Sequence, residues 1–188
     1  MINEFFKIFY LILKLDKNFF RDKKNFGEAS IYFAISIMLI SSLISIIPNT
    51  AFTDYMSSLF DLGIIRGPSI RSVIIASIIV WIIKSSYLYF VGVVIFSNKN
   101  TNCNFRKILV LVAFAHVPSF LNILVFDKNL LFLIFITYVW YNVSLIIGLN
   151  IILSYKNIFK TTLVSLAPQI IFLLYTISIL QGRSNFIS

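Results

Sequence analysis

The sequence predicts an all-α membrane protein, a polytopic bundle of five transmembrane helices with an amphipathic helix ahead of them. Three observations carry this. Hydrophobic residues make up 59% of the chain and charged residues only 12%, at a mean hydropathy of +0.93, whereas soluble domains hold roughly 45–50% and 25%. The apolar residues are gathered into long blocks, as a bilayer requires when about 20 of them must cross about 30 Å of hydrocarbon. Those blocks are continuously apolar, whereas membrane strands alternate over about ten residues, so helices are expected and a barrel is not.

Residues 1–30 come first and carry Lys7, Lys14, Lys17, Arg21, Lys23 and Lys24. Asn3, Lys7, Tyr10, Lys14 and Lys17 recur at three and four, so they share one helical face, and Phe5, Phe6, Phe9, Ile12 and Leu13 take the other. Such a helix lies in the membrane interface instead of across it, with Phe19-Phe20 continuing the anchoring. A docking helix for a partner is the alternative. No small-residue cleavage site follows, so the segment is not expected to be a signal peptide.

The spans are expected at 31–47, 73–96, 108–126, 130–153 and 161–180, with a short tail at 181–188. The second and fourth are long enough to tilt. The loop between the first two is the longest. Thr53 can cap a short helix there, Asp54 suits its first turn and Gly63 its end, and Phe52, Tyr55, Met56, Leu59 and Phe60 give it an apolar face. It reads as an interfacial connector, or as a lid over a cavity. Gly67-Pro68 then breaks the chain before the second span. Gly63 and Gly67 have the spacing of a membrane dimer motif but lie outside any span.

The net charge of +9 raises nucleic acid as a partner, but the basic residues are placed as a topology signal. Eleven of the sixteen fall in residues 1–30, the 97–107 loop (Lys99, Arg106, Lys107) and the 154–160 loop (Lys156, Lys160), all on one side. Arg66, Arg71, Lys128 and Arg183 take the other. Basic loops stay cytoplasmic, so the N-terminus is expected inside and the C-terminus outside. Each Lys or Arg near an anionic surface adds about 1 kcal/mol of attraction. The expected partner is therefore the lipid bilayer, with other membrane proteins or a second copy of the chain as further candidates, and no nucleic acid.

Within the spans polar residues are few. Lys84 sits near the middle of the second, where a charge costs roughly 2.5–3.5 kcal/mol on insertion scales. The seven acidic residues all lie outside the five spans, so it has no intramembrane carboxylate to pair with. His116, Asn142 and Gln169 stand at comparable depths in the third, fourth and fifth spans, and with Lys84 they could form one polar layer. The layer reads either as hydrogen-bonding glue between helices or as part of a substrate or proton pathway. Pro118 and Pro168 each remove a backbone donor, so helix kinks are expected at both. Trp140 and Tyr141 are mid-span and should pack against other helices, and Gly148 permits a close approach.

Other chemistry finds no support. A single cysteine, Cys103, and a single histidine exclude an internal disulfide and the cysteine and histidine zinc motifs. No aspartate pair or serine–histidine set stands at a believable depth. No enzyme, cofactor or metal is expected.

The order of features resembles a known family. Phe19-Phe20 precedes the first span; Asn104-Phe105-Arg106-Lys107 leads into Ala113-Phe114-Ala115-His116-Val117-Pro118; Trp140 and Gly148 follow, then Ala167-Pro168. This is similar to the Yip-one domain family of five-span membrane proteins, named for the Ypt/Rab-interacting proteins of vesicle traffic and also widespread in bacteria. The resemblance covers roughly residues 5–180 and implies five helices with a cytoplasmic N-terminus. The chain lacks the long N-terminal region and the Asp-Leu-Tyr-Gly-Pro type motif of eukaryotic members, which puts Rab-type GTPase binding in doubt. Its Ile, Asn, Lys and Phe richness looks like a bacterial member of the inner membrane. The expected function is a membrane-organising or trafficking-like scaffold acting through helix and lipid contacts. A small transporter or permease subunit using Lys84 and His116 is the alternative.

Overall fold

The computed structural model describes residues 2–27, 29–48, 50, 69–96, 101, 103–126, 128–155 and 157–184. Among these the ordered elements are all helical. They are α1 (Ile2–Leu13), α2 (Lys17–Arg21), a 3-10 turn (Lys23–Phe26), α3 (Ala29–Ile44), and α4 (Ile70–Tyr89) continued by a π turn (Phe90–Ile95). Then come α5 (Phe105–Ala115) continued by a 3-10 helix (Val117–Leu124), a 3-10 turn (Lys128–Leu130), α6 (Phe132–Ile152) and α7 (Ile158–Ser184).

Four helical stretches among the described residues are long and apolar enough to cross a membrane: Ser30–Pro48, Ile70–Ile95, Phe105–Leu124 and Phe132–Ile152. They match the first four expected spans with modest shifts at the ends. The second and third start earlier because capping residues precede them. Ser69 Oγ accepts from the Ser72 amide at 3.2 Å and Asn104 Oδ1 from the Lys107 amide at 3.0 Å, each satisfying a donor of the first helical turn. The expected fifth stretch falls inside α7. The helix expected between Thr53 and Gly63 lies outside the described residues.

The third crossing is the centre of the bundle. Half of its apolar stretch is buried, against 22% for the second, and Val110 to Ala115 are buried on every side of the helix. Helix α3 packs on α4, α5 and the 3-10 helix, α4 on α5, and α6 on α5, the 3-10 helix and α7. The outward faces of α3, α4 and α6 keep large apolar residues exposed, among them Leu43, Ile79, Ile83 and Phe135, as lipid-facing surfaces do.

The N-terminal segment departs from its expectation. Lys7, Tyr10 and Lys14 are exposed and Ile12 is buried, but Phe6 is 64% exposed, because six residues carry it well round the helix from Ile12. Helix α1 rests on protein: Phe9 stacks on Phe120 of the 3-10 helix at 5.6 Å between ring centroids. Phe19 and Phe20 are not lipid anchors either. Both are buried in the core, Phe19 on Phe114 at 5.6 Å and Phe20 against Gly148 of α6. The close approach at Gly148 is therefore real: a Cβ there would come 2.3 Å from Leu111 Cδ1 and 3.1 Å from Phe20 Cδ1.

The two prolines act differently. Helix α5 ends at Ala115, and from Val117 the chain tightens into the 3-10 helix with Pro118 in its first turn. Helix α7 runs on through Pro168 without ending. At the end of α4 the π turn centres on Gly92, whose carbonyl accepts from the Tyr155 hydroxyl, while the Phe96 amide reaches back five residues to Val91 at 3.0 Å. Lys160 caps the same place, donating to the Phe96 carbonyl at 3.0 Å over the Tyr155 ring.

Candidate functional site

The end of α5 places His116. Because the chain tightens there, the His116 amide bonds the Ala113 carbonyl at 3.0 Å, leaving the Val112 carbonyl to be satisfied by other means. The His116 ring does this, with Nδ1 2.8 Å from Val112 O. A carbonyl only accepts, so Nδ1 carries the proton and Nε2 is the acceptor in the neutral ring. Three residues on, the Ser119 hydroxyl donates to the His116 carbonyl at 2.6 Å and accepts from Ser41 of α3 at 2.7 Å.

Lys84 comes from α4, on a stripe with Val73, Ser77, Val80 and Trp81 that recurs at three and four. Trp81 fixes this face by donating from its indole Nε1 to the Leu109 carbonyl of α5 at 2.9 Å. Helix α6 brings Tyr141, buried at 7% exposure. The ammonium of Lys84 lies 4.4 Å from the centroid of the Tyr141 ring and the His116 ring 4.5 Å from it. A cation held over an aromatic face is stabilised by about 0.5–2 kcal/mol, which offsets part of the burial of Lys84. The Tyr141 hydroxyl is buried without a hydrogen-bond partner.

These groups line a cavity of about 730 Å³. Its walls are α3, α4, the 3-10 helix and α6, and α4 and α6 face each other across it instead of packing closely. Ser45 and Ser72, at neighbouring ends of α3 and α4, mark its rim, and Ser77 leads inward to Lys84. Lys84 lies roughly 21 Å along the helix from Ile70 at 1.5 Å per residue, near the middle of the 26-residue apolar stretch Ile70–Ile95. Beyond it Ser85 and Leu88 are fully buried and close the packing. Among the described residues the lining contains one Lys or Arg, Lys84, and no Asp or Glu.

The expected layer of four is therefore two pairs divided by α6. Lys84 and His116 meet on Tyr141, while Asn142, the next residue, points to α7, where Gln169 donates from Nε2 to Asn142 Oδ1 at 3.0 Å. A little over a quarter of a turn separates these faces, since successive residues are about 100° apart. The Asn142 pair belongs to a seam between α6 and α7 that also holds Thr161 donating to Asn150 at 2.9 Å. The sequence reading missed the serine rim, Thr137 donating to Asn122 at 2.8 Å, and the part played by Tyr141. Ser77 and Lys84 share a face seven residues apart, and that spacing was the available signal.

No group of three or more metal-binding side chains occurs among the described residues. No family model matches the sequence, and no curated protein or solved structure matches it. Fold and site together fit a multi-pass helical membrane protein, with four helices among the described residues long and apolar enough to cross a bilayer. Its particular feature is a cavity between these helices with Lys84 in its lining.

Proposed function

We propose that this is a non-enzymatic multi-span membrane protein that takes up a ligand in the cavity ending at Lys84, in the manner of a small transporter or permease subunit. One observation carries this reading: Lys84 and His116, from different helices, converge on Tyr141 at the inner end of a cavity of about 730 Å³. A lysine present only as helix glue would be packed against acceptors. Here it borders open space, and intramembrane ionisable groups often mark ligand or ion pathways. In this reading α7 is the fifth span, residues 1–30 lie on the cytoplasmic face, and the protein resides in a bacterial inner membrane.

A second reading, a membrane-organising scaffold of Yip-one type, is favoured by a different observation. Asn142 and Gln169 hydrogen-bond to each other, and Phe19 and Phe20, part of the family resemblance, seat the basic N-terminal segment against α5 and α6. Partners would then act on the outer faces of the bundle.

Purification of the wild type and of Ser77→Trp, which fills the cavity, separates the readings. A small molecule retained by the wild type and lost from the variant, in native mass spectra, supports the cavity. Equal spectra, with specific membrane proteins crosslinked to both, support the scaffold.

A further inference from the structure

The lining of the cavity defines the chemistry of what it holds. Among the described residues that line it Lys84 is the one Lys or Arg and there is no Asp or Glu, and the five expected spans hold no Asp or Glu either. An ammonium at this depth without a counter-ion is costly, and a ligand that supplies one negative charge removes the imbalance. The hydrogen-bonding groups point the same way. The hydroxyls of Ser42, Ser119 and Thr137 already donate within the protein. Lys84 remains as the donor at the inner end, held over the ring of Tyr141.

The rest of the wall sets the body of the ligand. Met38, Val73, Val80, Trp81 and Ile134 are apolar and line the space between the rim and Lys84. Val80 and Tyr138 stand on the opposing faces of α4 and α6 and are both exposed, so the gap between these helices opens sideways as well as at the rim. Arg71, exposed beside Ser72, adds a positive charge where an anion would enter.

We infer that the cavity binds an amphipathic monoanion, a single carboxylate or phosphodiester on an apolar body, with its charged head on Lys84. This rests on the cavity being a ligand site, as proposed above. The anion could come from the bilayer or from water, and the same head chemistry serves both.

The test compares dodecanoate, dodecanol and dodecylamine binding to the purified full chain in detergent micelles by native mass spectrometry. Dodecanoate is expected to bind about ten- to a hundredfold more tightly than the alcohol, the range of a charge-assisted hydrogen bond, and the amine more weakly still. Lys84→Met should lose that preference and Lys84→Arg retain most of it, with thermal unfolding of each variant confirming that it is folded. Displacement of dodecanoate by phenylacetate supports the inference with a water-borne ligand; retention against phenylacetate supports it with a membrane-borne one. Equal binding of all three compounds, or undiminished dodecanoate binding by folded Lys84→Met, overturns the anion inference and leaves the cavity reading standing. No binding of any compound to the wild type overturns both.

Discussion

The Lys84 ammonium sits 4.4 Å above the ring of Tyr141, a residue whose neighbour in sequence, Asn142, hydrogen-bonds to a different helix. The two sides of α6 thus do separate work. One side faces a cavity and a cation; the other holds α7 in place.

Replacing Lys84 by Met should stabilise the fold. The insertion cost of a lysine, roughly 2.5–3.5 kcal/mol, exceeds the 0.5–2 kcal/mol of a cation over an aromatic ring. A net gain of about 1–2 kcal/mol is expected, read as a higher thermal midpoint in detergent. A lower midpoint would mean that Lys84 has partners that hold the bundle together.

Gly148→Ala should act in the opposite direction. Its Cβ would come 2.3 Å from Leu111 Cδ1 and 3.1 Å from Phe20 Cδ1, in a fully packed region. Overpacking of this kind costs about 1–3 kcal/mol. Relief by expelling Phe20 would loosen residues 17–26, so faster trypsin cleavage after Lys17 or Arg21 is the expected signature.

The bond between Asn142 and Gln169 should be worth little. Interhelical hydrogen bonds in membranes average about 0.6 kcal/mol, and a double-mutant cycle with Asn142→Leu and Gln169→Leu should return a coupling of that order. A coupling of several kcal/mol would make the pair part of a larger polar network.

Cys103, in the loop ahead of α5, should resist thiol reagents near neutrality. Burial raises its thiol pKa to about 11, with Lys107 opposing the shift only in part. Because the thiolate is the reactive form, alkylation should quicken about tenfold per pH unit between pH 7 and 10. A rate that levels off near pH 8 would show an ordinary exposed thiol.

Much of this architecture was legible because lipid imposes a simple rule on sequence. Continuous apolar length points to the first four stretches, and Lys84 stands out as the one charge within the expected spans. Pro118 announced a break, but not that His116 would satisfy the Val112 carbonyl the break releases, which depends on the ring folding back on its own helix. The single polar layer failed because depth along a helix says nothing about direction around it, and Asn142 and Tyr141 differ only in direction. Phe19 and Phe20 read as lipid anchors because a phenylalanine is equally at home in bilayer and core; only Gly148, more than a hundred residues later, makes room for Phe20. The serine rim was hidden because helical serines in membranes commonly bond their own backbone, as Ser42 does to Met38 at 2.6 Å.

A ligand can reach Lys84 through the cavity only if water also reaches inward along α4. Single cysteines at Ser45, Ser77, Ile79 and Ile83, in a Cys103→Ser background, can be challenged in membranes with a water-soluble, membrane-impermeant thiol reagent applied to each side. Ser45→Cys and Ser77→Cys, lining the cavity, should be labelled from one side, and Ile79→Cys and Ile83→Cys, on the lipid-facing side of α4, should not. A Ser77→Cys as inert as Ile79→Cys and Ile83→Cys would contradict the cavity and the function proposed for it.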